Sequence, residues 1–245
     1  MKKKYSSLAM TLLCVFVFFN HFQTLAQKNV RGSGNITTVD YEVDPFTTLE
    51  IDGLFNVFIE QGDKEKVSVE TDDNIQDYVV VENQGNKLTI DTYKRINFRK
   101  CNRMHIYITV KDLEKLRVDG VGHVKTTNLL QLKDLDLRVN GVGNVSLEIE
   151  ADKLDARLNS VGNISLEGKI ANAKIDNGGV GKLAAYDLEN EYLEIRASGV
   201  GKTEVYASKE LSIRSSGVGN VYYKGDAVIT DLNIKGVGKV RKRGK

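Results

Sequence analysis

From Leu113 to the end of the chain, apolar and polar residues alternate in short runs, and glycine interrupts them at regular intervals. Positions can be numbered from the first residue of each interruption. Offsets −6, −4 and −2 then read Leu135, Leu137, Val139; Leu154, Ala156, Leu158; Leu193, Ile195, Ala197; and Leu211, Ile213, Ser215. Offsets +4 and +6 resume the alternation with Val145 and Leu147, Ile164 and Leu166, and Val221 and Tyr223. A period of two sends alternate side chains to opposite faces, so each run predicts a strand with one buried face.

The interruptions are copies of one corner. "DGVGHV" begins at Asp119, "NGVGNV" at Asn140, "NSVGNI" at Asn159 and "GGVGKL" at Gly178, followed by "SGVGKT" at Ser198, "SGVGNV" at Ser216 and "KGVGKV" at Lys235. The first glycine, or the serine in its place, falls at 120, 141, 160, 179, 199, 217 and 236. A period near 20 residues is the signature of a solenoid or array. Each coil reads as strand, glycine corner, strand and return turn, with glycine supplying the positive φ that a tight bend needs. The middle residue is valine in every copy, from Val121 to Val237, and is expected to plug the corner of the core. One coil cannot bury its apolar face alone; stacking at ~4.8 Å makes a continuous core. The expected fold is all-β, a right-handed parallel β-helix or β-solenoid of ~19-residue coils. The alternative is a stack of antiparallel hairpins.

Residues 27–112 are less regular. "RGSGNI" (Arg31–Ile36) and "IDGLFNVFI" (Ile51–Ile59, with Phe55 in place of the second glycine) read as weaker copies of the corner. "KVSVETDD", "YVVVENQGNKLTIDTY" and "MHIYITV" read as strands, and "DDNIQDY" (Asp72–Tyr78) is the best candidate for a short helix. The segment is expected to be a broadened start of the solenoid, acting as its cap, with the regular repeats at 113–245.

The chain opens with Lys2, Lys3 and Lys4, an apolar run from Leu8 to Phe19, and a small residue at Ala26. That is the layout of an export signal at 1–26, and its apolar run is too short to span a bilayer. Cys14 sits inside that run rather than at its end, which argues against a lipid anchor. The protein is therefore expected to be exported to the periplasm, the outer-membrane surface or the medium, with no transmembrane segment in the mature chain. Removing the leader's three lysines from 35 basic residues leaves 32 against 33 acidic, a net charge of −1. Such a chain has no global attraction to nucleic acid. Cys101 is the one cysteine left, so neither an internal disulfide nor a cysteine metal site is available. A thiol nucleophile there could be served only by His105 or His123.

Several catalytic motifs are excluded by spacing. "SGVGKT" at Ser198–Thr203 ends like a phosphate-binding loop, but Arg196 stands where its first glycine belongs, and a strand rather than a helix follows. Calcium-binding β-rolls need an Asp after the second glycine, which every copy lacks. Asp136 and Asp155 fall on neighbouring coils at a separation that could suit glycoside hydrolysis. Each has an arginine two residues on, which favours the ionised form and works against a catalytic acid. No cofactor and no metal are implied, and the chain reads as no enzyme.

The "SGVGNV" cadence, the opening "FTTLEIDGLFNVFIEQGDKEKVSVETDDNI" and the "NKLTI" strand resemble the putative auto-transporter adhesin family with the head GIN domain, from Val43 to about Val240. The resemblance implies a secreted or envelope β-solenoid of Bacteroidetes-type bacteria with a role in adhesion, and it brings no catalytic motif.

The outward positions hold the candidate chemistry. Offset −3 carries Arg117, Arg138, Arg157, Arg196 and Arg214, with Asp176 and Asn233 in the remaining coils. Offset −5 runs beside it as Lys115, Asp136, Asp155, Lys174, Glu194, Ser212 and Asp231. One reading is a surface salt-bridge ladder. The other is a guanidinium track for sulfate, phosphate or uronate groups, as on an acidic polysaccharide or cell-surface glycan. Arg117 and Arg214, lacking an acid at −5 in their own coils, lean towards the second. Tyr186, Tyr206 and Tyr222 lie at +5 and +7, and Tyr186 and Tyr206 are expected to stack, either simply stabilising the in-register pair or as a platform for sugar rings. Asn144, Asn163 and Asn220 at +3 are expected to form an amide ladder, in which Lys202 is one more rung. The basic tail from Lys239 solvates the open end, or touches anionic headgroups. The function expected is a non-catalytic adhesin or binding module. The alternative is a structural or assembly scaffold of the envelope, with an envelope protein or a second copy as partner.

Overall fold

A computed structural model describes residues 28–93, 96–101 and 103–244; the expected leader at 1–26, with Cys14, lies outside them. The regular repeats form parallel coils of about 19 residues. Long bent strands carry them: Val142–Leu158, Val161–Asn177, Val180–Ala197 and Val200–Ser215. Each pairs parallel with the next, and equivalent residues stand opposite one another. The column Leu137, Ala156, Ile175, Ile195, Ile213 runs in register through five coils, with no member more than 1% exposed. The antiparallel-hairpin alternative is thereby excluded. Register slips occur near the return turn, between Ala185 and Glu189 and again between Asn190 and Tyr192, where successive coils differ in length.

The two corner glycines do different jobs. The second, at Gly122, Gly143, Gly162, Gly181, Gly201 and Gly219, has φ between +138° and +157°. The first does not share that conformation, which is why Ser160 can replace it. Space is as restrictive as φ. A Cβ on Gly143 would lie 1.7 Å from the carbonyl oxygen of Gly122 in the preceding coil.

The corner valines do not plug the core. Val121, Val142, Val161, Val180, Val200 and Val218 are 48% to 54% exposed, and Val237 is 73% exposed. Alternation simply continues through the bend. Offset −2 faces inward, so the two glycine positions face inward and the valine between them faces out. The interior of the corner is filled by stacked backbone rather than by side chains.

"IDGLFNVFI" forms a true coil. Thr48–Ile51 pairs with Lys115–Val118, Asn56–Gln61 pairs with Val121–Thr126, and Leu54 bridges to Val121. On its other side this coil pairs with Lys87–Thr92 and Met104–Val110, so the chain leaves it, builds the end and returns past it. The end is closed by antiparallel strands: Val79–Gln84 on Lys87–Thr92, Lys66–Asp72 on Met104–Val110, and Ile36–Tyr41 on Lys66–Asp72. "RGSGNI", by contrast, is not a coil. Lys28–Arg31 pairs with Ile96–Arg99 in a separate two-stranded sheet, and the following loop folds over Asp72–Asn74. It has no preceding apolar alternation that could enter the core. The expected helix reduces to one 3-10 turn, Gln76–Tyr78, because Asp72 still belongs to a strand. At the opposite end Val228–Ile234 pairs on one side only, leaving Leu232 and Ile234 nearly half exposed.

Gly143→Ala should therefore be more damaging than an ordinary surface change. Strain at φ +144° and the collision with Gly122 together are expected to cost more than about 4 kcal/mol or to prevent folding. Chemical denaturation followed by circular dichroism checks this; a loss below about 1 kcal/mol would contradict the corner geometry.

Candidate functional site

Parallel, in-register pairing turns each outward offset into a column. Along offset −3, Arg117, Arg138, Arg157, Asp176, Arg196, Arg214 and Asn233 stand opposite one another in sequence. The acidic column runs beside it, and the two columns neutralise each other. Arg138 reaches Asp136 at 2.8 Å and Asp155 at 3.0 Å. Arg196 holds Glu194 at 2.9 Å. The column ends are not less compensated. Arg214 takes its acids from neighbouring coils, Asp231 at 2.9 Å and Glu194 at 3.7 Å, and Arg117 pairs with Asp119. Within the column only Arg157 is exposed and makes no ion pair with the described residues. Exposed pairs of this kind contribute ~0–1 kcal/mol each, so the ladder settles charge more than it adds stability.

The tyrosines divide between two places. Tyr186 lies in the bulge between Ala185 and Glu189, out of register with the next coil. Tyr206 instead stands opposite Glu189 and Lys224. The expected Tyr186–Tyr206 stack does not form, because the coil starting at Gly179 is longer than its successor and the surplus falls at Tyr186. Tyr206 lines a shallow groove with Glu150, Glu189 and Glu191, an acidic setting.

Tyr186 and Tyr222 belong to a cationic cluster. The Lys224 ammonium lies 4.7 Å from the Tyr186 ring centre. Lys202 and Arg243 lie 5.2 Å and 4.4 Å from the Tyr222 ring centre. Beneath them sits Glu204, opposite Ala184 and Tyr222 in the register and only 6% exposed. Its carboxylate binds Lys182 at 2.8 Å and also Lys202. Burial pushes the Glu204 carboxyl up, but the two lysine hydrogen bonds and charges outweigh that and hold it below the usual carboxylate range. Burial, aided by the Glu204 charge, raises the Tyr186 hydroxyl. Lys224 and Arg243 make no ion pair with the described residues.

Glu204 and Lys224 are not candidates in the sequence, Lys182 enters it only as a +3 residue, and Arg243 only as part of the basic tail. Lys224 and Arg243 share offset +7 with Tyr186 and Tyr206, so column counting alone could have added them. Glu204 could not be found that way, because its burial comes from neighbours on three coils.

The asparagines at +3 do not stack amide on amide. Asn144 and Asn220 accept from the backbone N–H of the following coil, at Asn163 (3.1 Å) and Lys239 (3.0 Å). The side-chain ladder is at −1 instead: Asn140 donates to Asp119 at 2.7 Å, and Asn159 to Asn140 at 3.4 Å. Lys202 is tied to Glu204 rather than acting as a rung. At the N-terminal end Glu70 accepts from Arg103 at 2.6 Å and from Tyr107 at 2.9 Å, and lies 3.3 Å from His105. These hydrogen bonds, Arg103's foremost, hold its carboxyl low. Burial raises the Cys101 thiol, the reverse of an activated nucleophile. Among the described residues no three metal-ligating side chains come together, and no helix is long and apolar enough to cross a membrane.

A crystallised putative adhesin from Bacteroides fragilis is 30% identical, with a TM-score of 0.85 over 87% of this chain and 100% of that one. A putative lipid binding protein from Parabacteroides distasonis is 25% identical, with a TM-score of 0.68 over 89% of this chain and 100% of that one. A putative adhesin from Parabacteroides merdae, at 20% identity and a TM-score of 0.68 over 89% and 100% of the two chains, shares the fold. No curated protein matches. Residues 45–227 match the family described as putative auto-transporter adhesin, head GIN domain, and the chain belongs to that family.

Proposed function

We propose that this chain is a non-catalytic adhesin module of the cell surface or envelope that holds acidic glycans through cations mounted on aromatic rings. The observation that carries this reading is the Tyr186–Tyr222 cluster. Three cations lie over two tyrosine rings, and two of them, Lys224 and Arg243, have no acid of their own. A cation on a tyrosine face is partly desolvated and pre-oriented, which suits it to a carboxylate or sulfate group while the ring offers a face to the sugar. Glu204 organises the site by fixing Lys182 and Lys202. The arginine column is a weaker candidate, because its charges are mostly spent on one another; Arg157 is its free member. The second reading, an envelope scaffold, is favoured by the apolar ridge of corner valines and is taken further below.

Retention of the purified protein on immobilised acidic and neutral polysaccharides across a salt series tests the proposal. Lys224→Glu/Arg243→Glu should lower affinity for the acidic polysaccharide by at least about tenfold, the scale of two cation contacts. Arg138→Glu/Arg157→Glu/Arg196→Glu should lower it less, and circular dichroism should show both variants folded. Equal retention on neutral and acidic polysaccharide, or retention indifferent to both sets, would sink the reading.

Acid should also loosen the fold in a defined direction. Glu204 and Glu70 have lowered folded values, so their stabilisation is present above the unfolded value of about 4.3 and is lost as pH falls through the folded value. Thermal midpoints measured from pH 7 downward should stay level and then fall below about pH 4.5. Glu204→Gln, which leaves Lys182 and Lys202 without their counter-ion, should lower the midpoint at neutral pH and flatten the acid limb. An unchanged acid limb would contradict the role given to Glu204.

A further inference from the structure

The corner valines make a continuous apolar ridge down one edge of the solenoid. Leu54 and the seven valines from Val121 to Val237 follow one another by parallel pairing through every coil. All eight are between 44% and 73% exposed. Seven steps of ~4.8 Å give a ridge roughly 34 Å long. Inward-facing corner positions flank it on both sides, glycine in every coil except at Ser160 and Phe55. Stacking alone does not require valine. Threonine has the same β-branched shape, and the columns on either side stack with asparagine and serine.

We infer that this ridge is the contact surface for a second copy of the chain, arranged antiparallel. The inference deepens the scaffold reading and does not depend on glycan binding. Three features point to a second copy. The first is pitch: another chain of this fold presents apolar side chains at the same ~4.8 Å spacing, so its valines can fall between these at every rung, as in a dry cross-β interface. The second is continuity: eight aliphatic side chains of successive coils face outward with no polar residue between them along the ridge, so a partner must present an equally long apolar edge.

The third is charge. The column before the ridge begins with Asp52 and Asp119, is neutral through its middle and ends with Lys235. In an antiparallel pair each copy's Lys235 meets the other's Asp52. The column after the ridge carries Lys182, Lys202 and Lys239, and the same arrangement sets these opposite Asn163, Asn144 and Asn56. No like charges face one another. A parallel pair would instead set Lys235 against Lys239 at both edges. Eight half-exposed aliphatic side chains offer on the order of 500 Å². That is short of the roughly 800 Å² per partner of a standard interface, so the flanking columns must complete it. The pair should therefore be weak and reversible, dissociating within the concentrations that sedimentation samples.

Sedimentation of the purified protein from about 1 µM to about 1 mM tests the inference. A reversible dimer is expected. Val161→Asp/Val180→Asp, at the centre of the ridge, should weaken it by at least about a hundredfold; Val161→Thr/Val180→Thr, which keeps the β-branched shape, should weaken it several-fold with the fold intact. Polysaccharide retention by the threonine variant should be unchanged, which separates this result from the glycan reading. In a Cys101→Ser background, Val121→Cys mixed with Val218→Cys should form a mixed disulfide. A monomer throughout the range, a dimer that survives the aspartate pair, or a dimer lost on Leu232→Ser/Ile234→Ser at the open end but not on the ridge changes, overturns the inference. Self-linked Val121→Cys without mixed product overturns the antiparallel arrangement.

Discussion

At every corner of the solenoid, the carbonyl oxygen of one coil occupies the place where the next coil's Cβ would have to go. Six successive second glycines meet this condition, and their φ values agree to within about 20°. A corner this tight leaves no room inside for a side chain, so coils can approach at strand spacing only if backbone stacks on backbone. Everything outward of the corner follows. Fixed spacing puts each offset directly above its equivalent, and a repeat in the sequence becomes a set of straight columns on the surface. The core needs no more than alternation to fill itself. The surface, in contrast, must solve the problem of identical residues ~4.8 Å apart.

The columns show several solutions to that problem. Arginines at −3 borrow acids from −5 and from neighbouring coils. Asparagines bond onward, through Oδ1 to a backbone N–H at +3 and through side-chain amides at −1. Lys202 at +3 and Lys224 and Arg243 at +7 have too few acids and rest on tyrosine faces instead, with the buried Glu204 as anchor. The first two solutions are self-sufficient and leave little capacity for a ligand. The third leaves cations directed outward, which is why the binding proposal moves from the column with the most arginines to the cluster with the fewest acids.

The coil period, the strand faces and the column memberships were legible in the sequence because they depend only on counting. The outward corner valines are hard to read from the sequence because a pair of glycines looks like the end of an alternation, whereas Leu137, Val139, Gly141 and Gly143 all lie on one inward track. Tyr186 and Tyr206 are hard to read for a different reason: equal offsets imply contact only while coil lengths are equal, and the coil at Gly179 carries a surplus. The return of the chain past the coil at 48–61 was not legible at all. That order is set by pairing between strands far apart in sequence, and local propensity says nothing about it. Glu204 belongs to the same class, since a glutamate at an outward offset reads as exposed until three neighbouring coils are laid against it.

A solenoid built this way separates its tasks by face. The inward positions are restricted by packing to small or apolar residues, and the second corner glycines of the regular coils by collision and positive φ, so both vary little. Outward columns are bound by no such constraint, beyond the need to balance their own charges. A column can therefore change identity along its length, as offset +3 does from asparagine to lysine and offset +7 from glutamate to tyrosine and then to lysine and arginine. The corner valine is the exception, an outward position with an unvarying residue in seven coils. Neither the core nor the turn geometry requires it. Invariance within one chain, at a site where the fold permits variation, calls for a partner that repeats with the same period, and a second solenoid of this kind is such a partner.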